Sequence, residues 1–206
     1  MENIDTIDWF KGIEVSSGGI FPMHIQQSSR TSGGSSLVKN LGAQIWTAEF
    51  TTVPILLEEA YDLENDLLRL DGSLGWVYLF DKRRPTPKLW NKTDALTGYD
   101  YTSIDPSNQH IVNLSVGTTA FSKGDHFSFV FGGKTYFHRI TEMITSTQAR
   151  VWPPMSLNSP STSVISVDYP AAKFQIDPAS VNNKIVTVDQ NTKNAQVSFR
   201  GIQVLS

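Results

Sequence analysis

The stretch from Thr51 to Phe80, TTVPILLEEAYDLENDLLRLDGSLGWVYLF, is the one part of the chain whose apolar spacing asks for a long helix. Leu56, Ala60, Leu63, Leu67 and Leu70 recur at a 4-3-4-3 spacing and form one stripe, broadened by Leu57, Tyr61 and Leu68. Pro54 suits a first helical turn, where its missing N–H has no partner to lose, and Thr51 or Thr52 is placed to cap the exposed amides. Glu58 and Glu59 lie early and Arg69 late, the order that the helix dipole favours, and Gly72 offers the left-handed residue that ends a helix. Trp76-Val77-Tyr78-Leu79-Phe80 follows, apolar on both alternating faces, and is predicted to be a central strand with the helix on one side and another layer on the other.

The rest of the chain reads as β-structure arranged around that helix. Residues 1–20 begin acidic and end in the turn-prone run Ser16-Ser17-Gly18-Gly19. A strand is predicted from Phe21 to Ser29, then a polar Gly-rich loop over residues 28–36, then a strand over residues 42–52. In that last strand Trp46, Ala48 and Phe50 alternate with Thr47, Glu49 and Thr51. Beyond the helix, residues 89–108 hold Trp90, Tyr99 and Tyr101 but no period. His126–Phe131 and Lys134–Ile140 flank Gly132-Gly133, a pair suited to the positive φ angles of a tight hairpin. That register sets Phe127 against His138, Phe129 against Tyr136 and Phe131 against Lys134. Strands are also predicted at Ala149–Trp152, Val164–Tyr169, Ala172–Asp177, Lys184–Val188 and Ala195–Leu205. The last changes parity after Phe199, which predicts a bulge near Arg200-Gly201.

A terminal strand has to pair with something already formed. Residues 195–205 are therefore predicted to join the sheet of residues 21–80, which makes residues 109–169 an insertion. The organisation expected is 1–108 plus 170–206 as one unit and 109–169 as a small β-barrel within it. The fold class is mainly β with one long α-helix, a β-sandwich or barrel domain packed on that helix.

Composition removes several functions. At 206 residues the chain can bury a sizeable core without staples, and with no cysteine it forms neither a disulfide framework nor a thiolate zinc site. A formal charge of −3 with 18% charged residues gives no general attraction to nucleic acid or acidic membranes. No apolar run reaches the roughly 20 residues of a bilayer span, and no basic segment followed by an apolar one opens the chain, so neither a cleaved signal nor an anchor is expected. HExxH, P-loop and GxSxG patterns are missing. His24, His110, His126 and His138 are the only imidazoles, and the hairpin register sends His126 and His138 to opposite faces, so no shared metal is expected. The carboxylates Glu58, Glu59, Asp62, Glu64 and Asp66 lie at mixed angles around the helix, as a solvated face does, and form no catalytic pair. Neither an enzyme nor a cofactor is expected.

Two features remain for binding. Asp81-Lys82-Arg83-Arg84-Pro85-Thr86-Pro87-Lys88 places four of the 17 Lys and Arg residues in eight positions. It is a solvated turn if the chain acts alone, and a contact if an acidic partner surface exists. Of the five tryptophans, Trp46, Trp76 and Trp152 fall on predicted strands, leaving Trp9 and Trp90 as candidate surface aromatics.

Several pieces, taken in order, resemble the minor tail proteins of long-tailed bacteriophages and prophages. They are Ser29-Arg30-Thr31-Ser32-Gly33-Gly34, Ala43-Gln44-Ile45-Trp46-Thr47-Ala48-Glu49-Phe50, the acidic Leu-rich helix, Leu70-Asp71-Gly72 and Phe80-Asp81-Lys82-Arg83-Arg84-Pro85. Phe121-Ser122-Lys123-Gly124-Asp125, Tyr136-Phe137-His138-Arg139-Ile140, Val151-Trp152-Pro153-Pro154 and Pro170-Ala171-Ala172-Lys173-Phe174-Gln175-Ile176 continue the likeness. Among these proteins the chain is most similar to distal tail proteins, with Ser146-Thr147-Gln148 in place of the usual Gly-Asn turn. The resemblance implies a tail-tube-like β-domain with a small projecting barrel, assembled as a ring, typically a homohexamer. Such a ring sits at the virion tail tip, is made in the host cytoplasm, and joins the tail tube to the hub, baseplate and fibre proteins without enzymatic activity. Arg30, Lys82, Arg83, Arg84 and Lys88 are then expected at subunit or ring–ring contacts. A carbohydrate-binding module for host attachment is the alternative, drawn from the aromatic β-unit and its Ser/Thr-rich surface.

Overall fold

The computed structural model describes residues 3–24, 26–30, 33–34, 36–40, 42, 44–93, 95–115, 119–155, 163–177, 180, 186–189 and 193–205. Along the chain come α1 (Ile7–Lys11), β1 (Val15–Met23), β2 (Gln26–Arg30), β3 (Ser36–Asn40), β4 (Ile45–Thr52), β5 (Ile55–Leu56), α2 (Leu57–Arg69) and β6 (Val77–Phe80). Then follow β7 (Asp100–Asp105), β8 (Asn108–Leu114), β9 (His126–Phe131), β10 (Lys134–Met143), β11 (Gln148–Trp152) and β12 (Ser163–Val164). The last are β13 (Ala171–Ile176), β14 (Val186–Asp189) and β15 (Asn194–Gln203).

The fold is mainly β, and in place of one long helix two are delimited among the described residues, of five and 13 residues. α2 starts later than its sequence predicts because Ile55 and Leu56 pair with Ala195 and Asn194 of β15 instead of coiling. Glu59 then turns back to accept the Leu56 N–H at 3.3 Å. Ala60, Leu63 and Leu67, with Leu70 just beyond the helix, are buried as the stripe requires. Leu56, expected to open the stripe, is 62% exposed and not part of it, and Tyr61 and Leu68, at 50% and 53% exposed, do not broaden it. Leu56 is still extended, and the other two lie about 100° around the helix from Ala60 and Leu67. The helix ends through positive φ at both Asp71 (51°) and Gly72 (65°).

The first sheet runs β1-β4-β15-β13-β6, with β5 and β14 also pairing on β15. The C-terminal strand thus lies in the sheet's middle, paired with β4 and β13. β6 is an end strand and not a central one. Its Val77, Leu79 and Phe80 face the core, while Trp76 and Tyr78 contact each other at 5.2 Å under Lys173. Ile4 partly covers the free side of β6 through a parallel bridge to Val77. The predicted bulge in β15 is absent. Alternation continues through Gly201 and Gln203, which point inward, and a Cβ at Gly201 would lie 3.1 Å from Phe174 Cβ. The core on this face holds Phe50, Phe174 and Phe199, with Phe10 of α1 at 4.7 Å from Phe50 and 5.1 Å from Phe80. On the opposite face around β15 the described contacts are polar: Glu49 pairs with Arg200 at 3.3 Å and Thr51 bonds Ser198 at 3.0 Å.

Ser16-Ser17-Gly18-Gly19 forms strand, not turn. A Cβ at Gly18 (φ +117°) would fall 2.0 Å from the Glu49 carbonyl oxygen, and one at Gly19 would fall 2.4 Å from Arg83 Cζ. Arg30 and Ser36, expected in the polar loop, belong instead to a hairpin of β2 on β3 that, among the described residues, pairs with no other strand, and Ser28 and Ser29 at the end of the predicted strand lie in β2. Ile25, Thr31, Ser32 and Ala43, and most of the predicted loop from Met155 to Ser163, lie outside the described residues.

The second sheet runs β12-β7-β8-β11-β10-β9 and nearly closes into a barrel, because Ser128 of β9 and Ser166 just past β12 exchange hydrogen bonds of 2.9 and 2.7 Å. The β9–β10 hairpin has the expected register, with φ of 58° and 77° at Gly132 and Gly133. Residues 100–105, which show no period, pair here as β7, and Tyr99 and Tyr101 enter this sheet's core.

Candidate functional site

The basic turn after β6 lies where the two sheets meet. The Lys82 ammonium donates to the carbonyls of Lys11 (3.2 Å) and Ile13 and sits over the Phe10 ring, and burial lowers its pKa, partly offset by Glu14. Arg83 Nε donates to Asp81 Oδ1 at 2.9 Å and Nη2 to the Ile20 carbonyl at 2.9 Å, with the guanidinium 4.6 Å from the Phe21 ring centre. Burial pushes the Asp81 carboxyl up, but the hydrogen bonds and charge of Arg83 outweigh it and hold the group below the usual carboxylate range. Gly19 supplies the bare backbone over which Arg83 lies.

Arg84 reaches the other sheet. Its Nη1 donates to the Lys123 carbonyl at 2.8 Å and lies 3.4 Å from the Asp125 carboxylate. Asp125 is fully buried and also accepts from the backbone N–H of Lys88 (3.0 Å) and of Ser122 (2.8 Å), and from the Ser122 hydroxyl. This one carboxylate ties the Asp81–Lys88 turn to the loop entering β9. Reasoning from sequence passed over it, although an Asp directly after Gly at a strand entrance is placed to accept local N–H groups.

Beside the turn, aromatic rings bridge the sheets. Trp46 of β4 donates its indole N–H to the Phe137 carbonyl at 2.9 Å and packs edge-on to Trp152 at 4.3 Å. His126 lies behind them, stacked on Phe137 at 5.2 Å. Burial lowers its pKa to about 4; neither ring nitrogen makes a well-formed hydrogen bond, and nearby Asp81 offsets the burial only in part. His138, on the other face of β10, is likewise lowered to about 4 by burial, with Nδ1 donating to the Pro153 carbonyl at 2.9 Å. The two do not meet, and among the described residues no group of three His, Cys, Asp or Glu could hold a metal ion.

A cleft of about 450 Å³ opens at this junction, lined by Pro22, His24, Trp46, Lys123, Arg139 and Trp152 among others. The remaining predicted residues lie elsewhere. Trp9 is half-buried, its Nε1 donating to Asp66 at 2.9 Å, so it fastens α1 to α2. Trp90 is half-buried, with its backbone N–H on the Pro87 carbonyl. Arg30 on β2 and Lys88 expose their side chains. Of the five basic residues expected at contacts, Lys82, Arg83 and Arg84 are therefore engaged within the chain, and Arg30 and Lys88 face outward. No described helix is long and apolar enough to cross a membrane. No protein-family model matches the chain, and no curated protein matches it either.

Proposed function

We propose that this chain is a structural ring component of a bacteriophage tail tip, a distal-tail-like protein joining the tail tube to the hub and host-recognition proteins. The observation that carries the reading is the β2–β3 hairpin. Every residue of β2 is exposed, and an isolated two-stranded hairpin is at best marginally stable in water. It calls for a partner, and a second copy of the chain supplies one if the hairpin of each subunit lies against the first sheet of the next. Among the described residues β1 is an end strand, and its outer backbone, apart from the Ile20 carbonyl held by Arg83, has no strand partner. Of the five basic residues expected at contacts, Arg30 on the hairpin and Lys88 on the turn are left for contacts between copies.

In this reading the first sheet is the tail-tube-like domain and the barrel is the projecting unit. The Asp81–Lys88 turn, resembling the family at Phe80-Asp81-Lys82-Arg83-Arg84-Pro85, then has a mechanical role, holding the barrel at a fixed angle. Light scattering and negative-stain imaging of the purified chain test it. A closed homo-oligomeric ring is expected, and deletion of residues 26–40 is expected to leave a folded monomer. A wild-type chain that stays monomeric at high concentration, alone and mixed with tube protein, overturns the reading.

A further inference from the structure

The junction cleft has a chemistry that the ring assembly does not use. Among the described residues, five of the six arginines from Arg69 onward face a carboxylate: Arg69, Arg83, Arg84, Arg150 and Arg200. The sixth, Arg139, projects at the cleft beside Lys123, and among the described residues neither cationic head has a carboxylate partner. Arg139 and Trp152 stand directly opposite each other on β10 and β11, so a cation and a half-buried indole share one wall. His24 rims the other side with its ring 5.4 Å from Trp152. In a chain of net charge −3 this is a local positive site on an aromatic floor.

We infer that the cleft binds an anionic saccharide, with a sugar ring lying against Trp152 and its acid group held by Lys123 and Arg139. The shape of the donor set selects this class. Pro22 offers no N–H, the neighbouring β10 and β11 are hydrogen-bonded strands on both sides, and the Thr141 hydroxyl already donates to the Arg150 carbonyl at 3.0 Å. An acidic peptide would find little backbone to pair with here. A sugar needs only an apolar face for stacking and donors for its charge. The inference stands whether or not the chain closes into a ring.

Calorimetric titration of the full chain with hexagalacturonate, a neutral galactan oligosaccharide and hexaglutamate at matched ionic strength tests it. Hexagalacturonate is expected to bind, the neutral sugar to bind at least about tenfold more weakly, and the Lys123→Ala, Arg139→Ala double variant to lose about tenfold or more. Both substituted side chains are exposed, so the fold is retained. Trp152→Phe, which keeps an aromatic floor, is expected to weaken binding less than the double variant. Absence of hexagalacturonate binding, undiminished binding by the double variant, or equal or tighter binding of hexaglutamate overturns the proposal, the last in favour of an acidic protein segment.

Discussion

Asp125 shows how much one side chain contributes when it is buried among donors. Asp125→Ala leaves two backbone N–H groups without their acceptor and the Arg84 guanidinium without its counter-charge, and is expected to cost about 3 kcal/mol in urea unfolding. Asp125→Asn keeps the shape and part of the bonding, and should cost less. His126 and His138 are expected to weaken the fold in acid. In the unfolded chain each titrates near 6.5, and burial lowers both to about 4. The unfolded state therefore binds more protons between these values, so stability falls as pH drops through that window, by on the order of 3 kcal/mol per histidine. His126→Phe removes a buried imidazole whose nitrogens lack well-formed bonds and keeps a ring on Phe137. It is expected to hold stability at about pH 7.5 and to lose about half as much as wild type at about pH 4.5, by urea unfolding at both. Gly18 is constrained by its neighbour: Gly18→Ala must move the Glu49 carbonyl or abandon φ +117°, at an expected cost of about 2 kcal/mol or more.

Elements were legible where one periodicity had no competitor. In α2 the spacing of Ala60, Leu63 and Leu67 points at the core, and Leu63→Ala is expected to cost roughly 2–5 kcal/mol while Leu68→Ala, at the 53% exposed position, stays near neutral. Thermal unfolding of the two variants separates them. The Gly132-Gly133 hairpin was readable to the residue because two glycines with positive φ admit one register. The start of α2 was hidden, since whether Ile55 and Leu56 coil or extend depends on β15, which lies about 140 residues away in sequence. Gly18 and Gly19 read as punctuation because what they accommodate, the Glu49 carbonyl and the Arg83 guanidinium, belongs to distant segments. The candidate site was half legible for the same reason. The basic turn is conspicuous, but the Ile20 and Asp125 contacts that occupy it are tertiary, and the cleft is assembled from β1, β4, the loop before β9, β10 and β11.

At the scale of the whole molecule the two sheets are joined by Asp125, by Trp46 on Phe137, and by the Ala171 N–H donating to the Ser128 hydroxyl at 3.2 Å. Trp46→Phe removes the indole bond and part of the packing on Trp152, and is expected to lower the unfolding midpoint and to separate the transitions of the two sheets. Differential scanning calorimetry would then show a broadened or split peak where wild type gives one. Trp46→Phe with an unchanged single peak would mean that the other ties suffice. The place of β15 also orders events during synthesis. All six strands of the barrel sheet lie in one continuous stretch, from Asp100 to Val164, and are complete before β13, β14 and β15 are made. The first sheet is different: β1, β4, β13 and β6 emerge earlier, yet the strand that stands between β4 and β13 is the last of that sheet to leave the ribosome. Until residues 194–203 arrive, the two halves of that sheet have no common rung, so the barrel is able to form first and the surfaces around Phe50 and Phe174 stay open to solvent. A nascent chain stalled before Asn194 should therefore be the species most in need of a chaperone.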